Sequence, residues 1–123
     1  MTETPKELKW TPEAAEVYEN LRQAAKQASA TRKKTGKTKT SKQEGLYIQV
    51  KGTVKLMKEN LRHPSLNTHE YDSMKNPFDE KGKPKGKVFE AYAQNQTPGA
   101  YRVFWVYGPG QKEITIIAIT AHP

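Results

Sequence analysis

From Lys87 onward the chain reads KVFEAYAQNQTPGAYRVFWVYGPGQKEITIIAITAHP, three strand-like runs separated by two turn signals. Residues 88–94 alternate, with Phe89, Ala91 and Ala93 on one face and Glu90, Tyr92 and Gln94 on the other. Residues 101–107 are apolar on both faces apart from Arg102, the pattern of a central strand. Residues 113–121 are rich in β-branched Ile and Thr. Thr97-Pro98-Gly99 and Gly108-Pro109-Gly110 supply turn chemistry between the runs. Such a segment builds an antiparallel meander, and the rest of the chain must cover one of its faces.

Two amphipathic helices are available for that cover. Thr11-Pro12-Glu13 combines a hydroxyl cap, a proline at the first helical position and an acid in the first turn. The helix is expected to run to about residue 30, with Ala14, Val17, Tyr18, Leu21, Ala25 and Ala28 as its apolar stripe. A second helix over 46–62 carries Leu46, Val50, Val54, Met57 and Leu61 on one face, and His63-Pro64 ends it. An edge strand is expected at 8–10, and 63–86 reads as a long polar loop. The expected fold is α+β: one domain, 1–123, with an αα-hairpin packed on one face of a three- to four-stranded antiparallel sheet.

Six of the thirteen residues from 31 to 43 are Lys or Arg and none is acidic, so a flexible basic arm is expected between the helices. The whole chain carries 21 Lys+Arg against 13 Asp+Glu, a balance that attracts polyanions. There is no cysteine, which excludes disulfides, thiol nucleophiles and thiolate zinc sites. His63, His69 and His122 lack metal-ligand spacing, so no metal and no cofactor are expected. No apolar leader and no long apolar run occur, so the expected compartment is the cytoplasm, with no membrane partner.

Four polar residues sit within or at the end of the strand runs: Glu90, Tyr92, Arg102 and His122. If Asn95 pairs with Gly99, Tyr92 lies opposite Arg102. If Tyr107 pairs with Glu113, Arg102 lies opposite Ala118, and Thr120 and His122 follow on the same face. A one-residue slip reverses the outcome. The four types suit phosphate chemistry. Arg offers a permanently charged fork of donors, Glu and His move protons, and Tyr stacks or donates. The corresponding reaction is metal-independent attack of a ribose 2′-OH on the adjacent phosphodiester. Plainer roles compete: an Arg102–Glu90 ion pair, a surface Tyr92, a chain-end His122. His63 and His69 read as loop caps or surface groups, and Tyr101, Phe104, Trp105 and Tyr107 as core.

The Ala-Tyr-Arg-Val-Phe-Trp strand, the Gly-Pro-Gly turn and the Glu-Ile-Thr-Ile-Ile-Ala-Ile-Thr-Ala-His-Pro ending resemble the RelE/ParE superfamily of toxins from type II toxin–antitoxin systems. So do His63-Pro64-Ser65-Leu66-Asn67-Thr68-His69 and Val88-Phe89-Glu90-Ala91-Tyr92. The resemblance implies two helices on an antiparallel sheet and, in RelE-like members, a ribonuclease that cuts mRNA in the ribosomal A site. It implies that Arg102 stabilises the phosphate and that Glu90, Tyr92 and His122 share the catalytic work. RelE-type chains usually continue past this point with a further basic residue and a tyrosine.

The leading expectation is therefore a RelE-like mRNA interferase that inhibits translation. Lys75, Lys85 and Lys87 would hold backbone phosphates, and Arg32, Lys33, Lys34, Lys37 and Lys39 would meet ribosomal RNA. Its partners would be the ribosome with its mRNA and a cognate antitoxin bearing an acidic segment, in a hetero-oligomer. The alternatives are a ParE-like gyrase inhibitor without nuclease activity and a non-catalytic RNA-binding module.

Overall fold

The structure, a computed structural model, describes residues 2–79, 86–94 and 99–122. Lys85 and turn residues 95–98 lie outside the described residues. Strand β1 (Glu7–Trp10) leads into helix α1 (Pro12–Lys34) and then helix α2 (Lys42–Glu59). A short 3-10 turn (Pro64–Leu66) and strand β2 (His69–Glu70) follow. Strands β3 (Val88–Tyr92), β4 (Tyr101–Tyr107) and β5 (Glu113–Ala121) complete the fold.

Both helices start where side chains satisfy their first free N–H groups. The Thr11 hydroxyl accepts from the Ala14 N–H at 3.2 Å, with Pro12 behind it. At α2 the Ser41 hydroxyl accepts from the Glu44 N–H, and the Glu44 carboxylate accepts from the Ser41 N–H at 2.8 Å. That reciprocal cap starts α2 at Lys42 rather than at residue 46. Helix α1 runs past residue 30 to Lys34, where Arg32, Lys33 and Lys34 oppose the negative end of its dipole. The expected arm over 31–43 thus contracts to a seven-residue connection, 35–41. Arg32 bridges this connection by binding Glu44 at 3.1 Å.

The sheet is mixed and five-stranded, in the order β1-β5-β4-β3-β2, which corrects the expected three- to four-stranded antiparallel sheet. β1 runs parallel to β5, pairing Leu8 with Ile114 and Trp10 with Ile116. A parallel pairing between the two ends of the chain leaves no trace in local periodicity. The other pairings are antiparallel. β2 lies inside the span expected to be loop, too short at two residues to register as a periodic run.

The main core lies between the helices and one sheet face. Val50, Val54, Met57, Leu61 and Ala14 meet Ala91, Val103, Trp105, Ile114, Ile116 and Ile119. The opposite face is only half open. Val88, Phe104 and Val106 form a second cluster, covered by Tyr71, Met74 and Phe78 from the 71–78 segment and by Ile117 and Ala118. The remaining half, toward Tyr92 and Arg102, carries the polar residues.

A bulge sets which β5 residues reach that half. Tyr107 pairs with Ile114, one residue from the expected Glu113. That one-residue offset alone would turn His122 toward the helices. Between Phe104 and Trp105 the register shifts again, leaving Ile117 as the extra residue. Arg102 then pairs with Thr120, two residues from the expected Ala118, and a shift of two restores the face.

Candidate active site

Tyr92 and Arg102 are direct cross-strand partners, as the hairpin geometry predicts. The guanidinium carbon of Arg102 lies 3.9 Å from the centre of the Tyr92 ring. Its Nη1 donates to the carbonyls of Tyr101 at 3.1 Å and Gln94 at 3.3 Å. Arg102 is 3% exposed, so its charge sits beneath the surface, where weak screening extends its field.

Glu90, two residues from Tyr92 on the same face, is 1% exposed. A buried carboxylate is costly unless donors or cations surround it. Two imidazoles flank it, although Oε2 accepts no hydrogen bond among the described residues. His69 Nε2 lies 2.7 Å from Glu90 Oε1, and His122 Nε2 lies 3.3 Å from Oε2. Both histidine side chains remain open to solvent, at 45% and 40%. The buried layer is thus Glu90 and Arg102, and the accessible layer is His69, His122 and the half-buried Tyr92.

Each histidine is held by more than the carboxylate. His122 is tied to the sheet because its N–H donates to the Ala100 carbonyl at 2.8 Å, and its ring meets the edge of Tyr71. His69 pairs with Glu90 across β2 and β3, and its ring meets Tyr92 edge-on at 5.6 Å. His69 is the functional candidate that sequence reasoning misses, assigned there to a loop surface. The available signal was weak: a histidine just before Glu70 and Tyr71 in a polar span without periodicity. His63 does act as a cap, its Nδ1 accepting from the Ser65 N–H at 3.1 Å.

The residues expected to bind RNA separate into groups. Lys87 is exposed and binds Glu70 at 2.8 Å, a contact that raises its pKa. Lys75 lines a polar cleft with Asp72, Asp79 and Lys87. Arg32 is committed to Glu44 and the Lys37 carbonyl. Lys33, Lys34, Lys37 and Lys39 are exposed around the helix connection. Gln94 donates to the Gln49 side chain at 3.0 Å, and Thr53 donates to the Tyr92 carbonyl at 3.2 Å. These bonds align α2 so that its N-terminal end extends about 10 Å further, at ~1.5 Å per residue. The basic tip therefore lies off the sheet end that carries Tyr92, Arg102 and His122.

Tyr101 is half-buried, Phe104 and Trp105 are core, and Tyr107 is 47% exposed. Among the described residues no helix is long and apolar enough to cross a membrane, and no group of three or more acidic or histidine side chains is disposed to hold a metal ion. No protein-family model, curated protein or solved structure matches this chain.

Proposed function

We propose that this chain is a RelE-like toxin, a ribosome-dependent mRNA endoribonuclease. The observation that carries the reading is the gathering of Glu90, Tyr92, Arg102 and His122 on one half of one sheet face. The scissile phosphate docks over the Tyr92–Arg102 pair. Arg102 offsets the charge that builds on the phosphoryl oxygens, acting from a dry layer where that effect is largest. The ribose 2′-OH attacks its own 3′-phosphate, with proton transfer handled at the solvent edge of the Glu90 cluster. No step calls for a metal or an organic cofactor.

The basic tip supports the same reading. Lys33, Lys34, Lys37 and Lys39 are exposed at the helix connection and would meet the RNA around a substrate held in the ribosome. An antitoxin with an acidic segment is the fitting inhibitor for this surface. The test is cleavage of mRNA on programmed ribosomes beside a gyrase supercoiling assay. Cleavage in phase with codons, abolished in Arg102→Ala, supports the reading. Intact mRNA with inhibited supercoiling overturns it in favour of a ParE-like inhibitor.

A further inference from the structure

The His69 ring lies between two acceptors. Its Nε2 is 2.7 Å from the Glu90 carboxylate, and its Nδ1 is 2.7 Å from the Asn67 carbonyl oxygen. With Glu90 ionised, the carboxylate and the peptide carbonyl offer only lone pairs, so each short contact then takes a proton from a histidine nitrogen. A neutral imidazole has one such proton and an imidazolium has two. The local backbone fixes this clamp: Asn67 is in the left-handed conformation at φ 46°, closing the Pro64–Leu66 turn. His69 then pairs directly with Glu90 in the sheet.

We infer that His69 is the general acid of the proposed ribonuclease, with His122 as the base and Glu90 as the residue that positions His69. This assignment rests on the ribonuclease reading above. The groups facing His69 are Glu90, the Asn67 carbonyl and the Tyr92 ring, with Arg102 stacked on that ring and the Glu70–Lys87 pair beside it. Glu90 and Tyr71 are among the groups facing His122.

The step balances without another reactant. The 2′-OH proton passes to His122 as the 2′ oxygen bonds to phosphorus. The bond from phosphorus to the 5′ oxygen breaks, and that oxygen takes the Nδ1 proton of His69. A developing alkoxide is a far stronger acceptor than the Asn67 carbonyl, so it wins the proton as the bond lengthens. The products are a 2′,3′-cyclic phosphate and a 5′-hydroxyl. Both rings are solvent-accessible and reset by exchange with water.

Two measurements on the full chain test this. The first is cleavage on programmed ribosomes of mRNA whose scissile 5′ oxygen is replaced by sulfur, a leaving group that needs no acid. His69→Gln keeps a donor for Glu90 and cannot deliver a proton. It is expected to fall at least about a hundredfold on ordinary mRNA and recover most of that on the sulfur substrate. His122→Gln is expected to fall on both. Equal losses for His69→Gln on the two substrates, or none, overturn the assignment. If the wild type cleaves neither substrate, the ribonuclease reading itself fails. The second measurement is the nitrogen NMR shifts of the His69 ring at neutral pH. Two protonated nitrogens in the wild type, and a neutral ring in Glu90→Gln, are expected. A neutral ring in the wild type overturns the inference whatever the activity.

Discussion

Arg102 stacks on Tyr92, its guanidinium carbon 3.9 Å from the ring centre, and the same two residues face each other across β3 and β4. Register and chemistry coincide here. The hairpin puts a planar cation on an aromatic face, and two backbone carbonyls accept from its Nη1. A lysine keeps the charge but lacks the flat, forked donor set. Arg102→Lys is therefore predicted to fold and to reduce cleavage by about tenfold or more. Arg102→Ala is predicted to reduce it by about 10²–10³-fold, the usual scale for removing one charge-stabilising donor. Single-turnover rates on programmed ribosomes, with circular dichroism as the folding control, check both.

Much of this pair was legible from alternation alone. Glu90 and Tyr92 share strand parity, and a short turn makes Tyr92 and Arg102 opposite. His122 joined them for a different reason. The expected pairing of Tyr107 with Glu113 was one residue off, and a bulge at Ile117 brought His122 back to the predicted face. Bulges are set by tertiary packing and cannot be read from Ile-Thr alternation. β1 escaped full prediction because its partner is more than a hundred residues away, and β2 because two residues carry no period. The Ser41-Glu44 capping box was readable and fixes the true start of α2.

The helix tip carries one paired cation, Arg32, and the exposed Lys33, Lys34, Lys37 and Lys39. Lys37→Ser with Lys39→Ser is predicted to weaken RNA binding and to flatten its salt dependence. The slope of log K against log salt should fall by about 1.4, roughly 0.7 for each phosphate that is no longer neutralised. Arg32→Ala should instead lower stability, because it strands Glu44, which is 6% exposed. Filter binding across a salt series, paired with thermal melts, tests both. Equal salt slopes in wild type and the double variant would contradict the assignment.

Acid should weaken the fold through two carboxylates. The Ser41 N–H, aided by Arg32, holds the Glu44 carboxyl below its ordinary value of 4.5. Lys9, aided by the Gly110 N–H, does the same for Glu113, which joins β1 to the start of β5. Their folded values are lower than their unfolded ones. Their contribution is therefore full above pH 4.5 and lost as the pH falls below it. Glu44→Gln and Glu113→Gln should each reduce the drop in Tm between about pH 5 and pH 3. A wild-type drop unchanged in both variants would refute this account.

Met57 is fully buried where α2 meets the sheet. Met57→Ala removes that packing and leaves a cavity, at a cost of about 2–5 kcal/mol. Chemical denaturation should show a lower midpoint, while the His69–Glu90–His122 cluster on the opposite face keeps its ring nitrogen shifts in the folded protein. A destabilisation below about 1 kcal/mol would mean that the helix layer packs differently.

The most direct measurement is mapping of the cut on ribosome-bound mRNA, with a matching message that carries one 2′-deoxy nucleotide at the mapped position. Codon-phased cleavage leaving a 2′,3′-cyclic phosphate is expected, abolished by the single deoxy substitution and by Arg102→Ala. Cleavage that persists through the deoxy position would contradict 2′-OH attack. An uncut message under conditions where the protein blocks gyrase would contradict the ribonuclease itself.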